Sequence, residues 1–128
     1  MNDIRFAHYR VFDIYNNRIL SNGGVTLAIG ITDSGKYRIA GAKCHEVDHY
    51  CKRHGRTKSR GRLFCKHSFV LEEVNKTIVR KINWVELDDK PDLETLLSIA
   101  ESFYQHYIIG RNQVLVNSGV YFKHNHGL

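Results

Sequence analysis

Residues 25–44, VTLAIGITDSGKYRIAGAKC, hold the pattern that decides the fold. Two apolar runs, 25–32 and 37–44, flank the polar segment Asp33-Ser34-Gly35-Lys36, and Gly23-Gly24 precede the first run. β-Branched residues on both sides of a short polar segment with glycine are typical of an antiparallel hairpin. We therefore predict two paired strands here.

Further elements extend on both sides of this hairpin. Residues 4–15 predict a first strand that ends at a turn, and residues 69–71 and 77–87 predict two further strands. Near the end of the chain, residues 113–116 and 120–122 flank a predicted turn at 117–119. They predict a second hairpin or an oligomer contact. Residues 91–107 predict an amphipathic helix, because proline and acids occupy its first turn. Its expected buried face consists of Leu93, Leu96, Leu97, Ala100, Phe103, Tyr104 and Tyr107. The last five residues, 124–128, are expected to be frayed.

A central helix is predicted from residue 46, because Val47, Tyr50, Cys51 and His54 recur at spacings of three and four. Gly55 and Gly61 each cost about 1 kcal/mol relative to alanine in a helix, so a break near Gly55 is an open alternative. Together these elements predict one α+β domain over residues 1–128, with an antiparallel sheet, a central basic helix and a second amphipathic helix.

The net charge of +6 is concentrated in one segment. Of 19 basic and 13 acidic residues, eight basic and two acidic ones fall within residues 43–66, which leaves eleven of each elsewhere. Such asymmetry is expected of a protein that attracts phosphorylated ligands or polyanions to one face. A solvated basic face without a partner is the alternative.

Arginines dominate this segment, and their planar guanidinium groups form paired hydrogen bonds with phosphate oxygens. Helical spacing places several of them on one face. The predicted ligand-binding residues are Lys52, Arg53, Arg56, Lys58, Arg60, Arg62 and, in a later turn, Arg111. We expect a nucleotide or nucleic-acid phosphate as the ligand, and no cofactor. Tyr50 and Phe64 are aromatic residues near enough to stack on bases if exposed.

A zinc site is the main rival to a phosphate site. Three cysteines and four histidines lie within residues 44–67, but their spacing lacks the paired ligands of structural zinc modules. Residues 45–49, HEVDH, match a catalytic zinc motif if they are helical, yet no third ligand follows at a useful spacing. Cys44 and Cys51 are alternatively small buried core residues. We predict no metal.

The sequence also carries no catalytic signature. None of the three thiols is singled out as a nucleophile, and no nucleophile elbow, phosphate-binding loop of the Walker type or useful carboxylate pair is present. We therefore predict a binding protein and not an enzyme.

The residues Cys44, Asp48-x-Tyr50, Arg53, Gly55-Arg56 and Gly61-Arg62-Leu63 resemble a pattern in small phage and prophage proteins. Those with a known role that this segment resembles are phage anti-defence proteins, notably the Thoeris anti-defence sponges that sequester cyclic nucleotide signals. The resemblance covers about twenty residues. It implies a non-catalytic homo-oligomer that captures a nucleotide between subunits, with Arg53, Arg56 and Arg62 as a clamp. A nucleic-acid-binding or nucleoprotein-inhibiting phage protein, or a zinc-stabilised nucleic-acid-binding module, is the alternative.

Localisation follows from what the chain lacks. No run of eighteen apolar residues occurs, and residues 1–5 have no secretory signal pattern. Three cysteines in such a chain are expected to be reduced. We predict a cytoplasmic protein, in the bacterial host if phage-encoded, without a membrane partner.

Overall fold

The computed structural model describes residues 1–108 and 112–120. The helices and strands in these ranges are, in chain order, β1 (Asn2–Asp13), β2 (Arg18–Ile19), β3 (Asn22–Ile31), β4 (Tyr37–His49), α1 (Lys52–Leu63), β5 (Phe69–Val74), β6 (Thr77–Ile82), β7 (Val85–Leu87), α2 (Leu93–Ile108) and β8 (Gln113–Val120).

Within the described residues, the larger sheet has six antiparallel strands built around β1. Strand β8 pairs with one edge of β1, while β2 and then β3 pair with the other, and the sheet continues through β4 to β7. The predicted 25–44 hairpin is confirmed, with Ile31 opposite Tyr37. Its turn is closed by a hydrogen bond from the Thr32 amide to the Lys36 carbonyl, and Gly35 provides the left-handed φ of 86° that the turn needs. Strands β5 and β6 form a separate hairpin.

In the described part of the chain, one helix packs on each face of the larger sheet. Strand residues alternate between the faces, so Tyr9, Leu27 and Ile39 form a core with Leu96 and Tyr104 of α2. On the opposite face, the small side chains of Ala28 and Ala40 pack with Leu63 of α1, together with the partly buried Phe6 and Trp84. The predicted α+β class, with an antiparallel sheet, a basic helix and a second amphipathic helix, is confirmed.

The prediction that the basic helix begins at residue 46 is wrong. Strand β4 continues to His49, and α1 begins at Lys52. Cys44 pairs with Gly24 and His49 with Asn22, so the four residues 45–48 bulge out of the ladder. This bulge leaves Val47 69% exposed. The apolar spacing that suggested a helix therefore comes from an irregular strand end.

Two other predicted elements need correction. Residues 77–87 are not one strand, because β6 and β7 belong to different sheets and are separated by Asn83 and Trp84. The predicted turn at 117–119 is a continuation of β8, in which Tyr9 pairs with Asn117 and His8 with Gly119, so the extra residue forms a bulge. Residues 121 and 122 of the strand predicted at 120–122, like the tail 124–128, lie outside the described residues.

The predicted buried face of α2 is correct at Leu96, Ala100 and Tyr104, with Leu97 and Phe103 partly buried against the core. Leu93 was also expected there, but it is 56% exposed because it lies at the first position of the helix. The side chain of Tyr107 lies outside the described part of the chain. None of the described helices is long and apolar enough to cross a membrane.

Candidate functional site

Helix α1 lies unusually close to the sheet, and small residues make this approach possible. Gly55, the buried Ser59 and the buried Leu63 follow one another at intervals of four, so they form one stripe facing the sheet. A Cβ at Gly55 would overlap the Thr26 hydroxyl and lie 2.8 Å from the Thr26 Cβ. The helix runs through Gly55 and Gly61 without a break, so the open alternative of a break near Gly55 does not hold.

The basic residues of α1 divide between two flanks of this stripe. Lys52 and Arg56 are close enough to His8 of β1 to lower its pKa, and Arg53 and Arg60 are three and four residues from Arg56. Helical geometry therefore places these four cations on the flank toward β1. We call Lys52, Arg53, Arg56 and Arg60 the basic flank.

The opposite flank faces β4 and carries the remaining predicted residues. Lys58 and His54 line a cavity with residues of β4, and the Arg62 guanidinium donates a 2.6 Å hydrogen bond to the Gly41 carbonyl. Arg62 is thus half-buried and joins α1 to β4. The structure brings Arg53 and Arg56 together as the sequence predicts, but it places Arg62 on the other side of the helix. Arg111 lies outside the described residues.

The cations of the basic flank lack acidic partners within residues 1–108 and 112–120. The side-chain ion pairs there join Lys36 to Asp88 and Arg38 to Glu86, and neither pair includes a side chain of α1. The Arg60 guanidinium lies 5.4 Å from the centre of the Phe64 ring, which orients it without neutralising it. The excess charge of α1 is therefore directed to solvent or to a ligand.

The first turn of α1 adds to this unbalanced charge. Its N-cap residue, Cys51, makes no side-chain capping bond, and no acid occupies the first turn. Lys52 and Arg53 instead lie at the positive end of the helix dipole. Each cation near this end of the helix costs about 0.3–1 kcal/mol, because it lies beside the positive end of the dipole. An anion bound there would instead interact favourably with the dipole.

A cavity of about 310 Å³ lies where the end of β4 meets the start of α1. Its charged and titratable lining includes Lys43, Lys58, His45, His49, His54 and one carboxylate, Asp48. The volume is at the lower end of the range for small-molecule sites. The lining therefore favours a small anionic ligand over a neutral one of the same size.

Three polar side chains meet at the junction of this cavity and the sheet. The Tyr50 hydroxyl lies 2.6 Å from the Thr26 hydroxyl and 2.8 Å from His8 Nδ1, and Thr26 lies 3.1 Å from the same nitrogen. Burial is the main reason that the pKa of His8 falls to about 4 and that of Tyr50 rises to about 12. Both groups are therefore neutral at pH 7. They act as fixed hydrogen-bonding groups that hold the start of α1 against β1 and β3.

Arg10 adds a cation to this polar cluster on the side of Tyr50. Its guanidinium donates a 2.9 Å hydrogen bond to the Leu20 carbonyl and lies 5.0 Å from the centre of the Tyr50 ring. Neither His8 nor Arg10 was predicted to lie on the face of the sheet that α1 covers. Their alternation with Ala7, Tyr9 and Val11 in a predicted strand was a usable signal, since it places both on the face opposite the apolar core.

The cysteines and histidines do not assemble into a metal centre among the described residues, where no group of three or more potential ligands is suitably placed. The His45–His49 motif lies at the end of a strand and not on a helix, so its two imidazoles lack the helical geometry that the zinc motif requires. Cys51 is exposed and Cys44 is partly exposed, so the alternative that both are buried core residues does not hold.

Cys44 is also poorly suited to be a nucleophile. Its thiol donates to the backbone carbonyls of Asp48 and His49 at 3.4 and 3.5 Å, inside the bulge. Burial raises the pKa of this thiol, which lowers the fraction of reactive thiolate. Its contacts stabilise the shape of the bulge that forms one wall of the cavity.

No known protein-family model, curated protein or solved structure matches this chain.

Proposed function

We propose that this protein is a non-catalytic binding protein that captures a phosphate-bearing ligand on helix α1. The observation that carries the proposal is the basic flank: four cations on one side of a helix, without acidic partners in the described part of the chain. Three of them are arginines, which suit the geometry of phosphate oxygens. The uncapped first turn of the same helix adds backbone N–H donors.

A small nucleotide is the favoured ligand. The cavity beside the start of α1 has room for a compact ligand and is bordered by Lys58 and three histidines. A phosphate at the first turn of α1 would lie between this cavity and the basic flank. The resemblance to phage anti-defence sponges points to a cyclic nucleotide immune signal, and the protein would then act in the cytoplasm of an infected bacterium by sequestering it.

Thermal unfolding with a panel of cyclic and linear nucleotides tests this proposal. A ligand present at 100 times its dissociation constant adds about 2.7 kcal/mol to the free energy of unfolding. For a chain of this size, that corresponds to a rise of about 10 °C in the melting temperature. A panel that leaves the melting temperature unchanged at saturating concentrations would contradict the proposal.

Matched variants locate the binding site. Arg53→Gln with Arg60→Gln removes two cations of the basic flank while keeping good helix formers. Arg18→Gln with Lys76→Gln removes the same charge from exposed positions in β2 and in the turn between β5 and β6. We expect the first pair to abolish most of the ligand-induced shift and the second to leave it nearly intact. Equal losses of the ligand-induced shift in both pairs would mean that binding depends on the net charge of the protein and not on the basic flank.

Nucleic-acid binding is the second candidate, and one observation favours it. Lys52, Arg53 and Arg60 are exposed on a convex helix surface, outside the lining of the cavity. A phosphodiester backbone could follow such a surface. Fluorescence anisotropy with a labelled single strand separates the candidates, because affinity for a polyanion falls steeply with salt, with a slope of about −0.7 per phosphate contacted. A shallow slope together with nucleotide stabilisation would favour the small ligand.

A further inference from the structure

Two cysteines, Cys44 and Cys51, line the cavity at the start of α1. Residues of β4 alternate between the two faces of the sheet, and Ala40 packs against Leu63 of α1. Cys44 lies four residues after Ala40, so its side chain is on the face that α1 covers. The thiol of Cys44 therefore points toward the helix whose N-cap residue is Cys51.

The packing of α1 places Cys51 at the same level as Cys44. Gly55 contacts Thr26, and the partner of Thr26 in β4 is Ala42. Cys51 lies one helical turn before Gly55, which is about 5.4 Å along the helix. Cys44 lies two residues beyond Ala42, which is about 6.6 Å along the strand in the same direction, because α1 runs antiparallel to β4. Cys51 thus lies above Cys44, in line with the stripe that faces the sheet.

Two further observations bring the two sulfur atoms close together. Burial is the main cause that raises the pKa of the Cys44 thiol, and a thiolate at Cys51 raises it further, which requires that the two groups are near each other. The Cys44 thiol also lies 3.5 Å from the His49 carbonyl oxygen, and the two residues from His49 to Cys51 span at most about 7 Å. The Cys51 side chain makes no capping bond that would hold it away from Cys44.

We propose that Cys44 and Cys51 are a redox-sensitive modification site and form a reversible disulfide that joins the end of β4 to the first turn of α1. In the cytoplasm, where we expect this protein to act, disulfides are transient and serve redox sensing or catalysis. The bridge replaces the contacts of the Cys44 thiol with the Asp48 and His49 carbonyls, so it changes one wall of the cavity. The proposal does not depend on the ligand of α1.

A low-molecular-weight disulfide such as oxidised glutathione is the oxidant. Cys51 is exposed and Cys44 is half-buried, so the Cys51 thiolate attacks first. The glutathione disulfide breaks, one glutathione leaves as a thiolate, and the other stays bound to the Cys51 sulfur. Cys44 then loses its proton to solvent and attacks the Cys51 sulfur, and the second glutathione leaves as a thiolate. Two protein thiols are oxidised while one glutathione disulfide is reduced to two glutathiones. The raised pKa of Cys44 makes the second step the slower one.

Mass spectrometry of tryptic peptides tests the proposal in a series of glutathione redox buffers. Both cysteines fall in one peptide, 44–52, and Cys65 falls in another, 63–66. We expect peptide 44–52 to lose two hydrogen atoms and to regain them with dithiothreitol. Cys65 should only take up glutathione, because the 12-residue α1, about 18 Å long, separates it from Cys51. Cys44→Ser should accumulate glutathione on Cys51, since the resolving thiol is gone, and circular dichroism verifies that this variant is folded.

The unfolded chain is the second control, because the two cysteines are close in the sequence. The same measurement on the wild-type protein in concentrated urea gives the equilibrium constant for bridge formation without the fold. We expect the folded protein to have a constant at least about tenfold higher, because a disulfide that fits a fold stabilises it. An equal or lower constant in the folded protein would overturn the proposal. So would a wild-type peptide 44–52 that takes up glutathione but never loses two hydrogen atoms.

Discussion

Replacing Gly55 by alanine tests most sharply how α1 lies on the sheet. The new Cβ would overlap the Thr26 hydroxyl and approach the Thr26 Cβ to 2.8 Å, at a position where Thr26 is fully buried. Either α1 moves away or Thr26 loses its hydrogen bonds with His8 and Tyr50. Overpacking of this kind costs about 1–3 kcal/mol, and each lost hydrogen bond costs about 1 kcal/mol more.

Helix propensity works in the opposite direction but is smaller. Alanine gains about 1 kcal/mol over glycine in a helix interior. We therefore expect Gly55→Ala to lower the free energy of unfolding by about 2 kcal/mol, since the packing terms exceed the propensity term. Gly61 belongs to the same helix, and a Cβ there would meet nothing within 4 Å. Gly61→Ala should raise the free energy of unfolding by about 0.5–1 kcal/mol.

Urea denaturation of the wild type and both variants measures these differences in the free energy of unfolding. The comparison requires that the free energy depends on urea concentration with the same slope in all three proteins. The two substitutions are chemically identical and occur in one helix, and the overlap with Thr26 is the steric difference that predicts opposite signs. If Gly55→Ala were as stabilising as Gly61→Ala, α1 would not be seated on β3 in the way described, and the placement of the basic flank would fail with it.

Three further predictions concern the polar contacts around α1. Because the pKa of His8 is lowered from 6.5 to about 4, its contribution to stability is complete above pH 6.5 and is lost as the pH falls toward 4. The free energy of unfolding should fall by about 2 kcal/mol between pH 7 and pH 5, and His8→Asn should remove most of that dependence in denaturation at the two pH values. Tyr50→Phe should lower the melting temperature by an amount equivalent to about 1–3 kcal/mol, because it leaves Thr26 and His8 without the shared hydroxyl; an unchanged melting temperature would contradict the network. Arg38 donates to Glu86 and to the Leu63 carbonyl, so Arg38→Gln should destabilise the protein by about 1–3 kcal/mol in urea, and a change below 0.5 kcal/mol would show that these contacts contribute little.

Local patterns in the sequence were sufficient to predict the 25–44 hairpin and helix α2. Both elements carry strong periodicity and are bounded by turn or helix-start residues, so short-range signals agree with the tertiary structure. The start of α1 was misplaced because the bulge at 45–48 breaks the alternation of β4. A bulge is set by the pairing partner, here Asn22 to Gly24, which lies more than twenty residues away.

The site was predictable in composition but not in arrangement. The clustered charge of α1 is visible in the sequence, as is the proximity of Arg53 and Arg56 on one side of a helix. The orientation of α1 on the sheet could not be predicted, because it depends on a contact with Thr26, which lies in a different strand. Gly55 and Ser59 are small enough to let α1 approach Thr26. This contact turns Arg62 toward β4.

An NMR titration with a cyclic nucleotide tests the central claim most directly. With ¹⁵N-labelled protein, we predict saturable shifts of the backbone amides of residues 52–60 and of the neighbouring cavity wall at 43–49, while the β5–β6 hairpin is unaffected. The matching uncharged nucleoside, which lacks the phosphate, should cause none of them. Absence of shifts in α1 across the nucleotide panel, or equal shifts with the nucleoside, would contradict the conclusion that α1 binds phosphate.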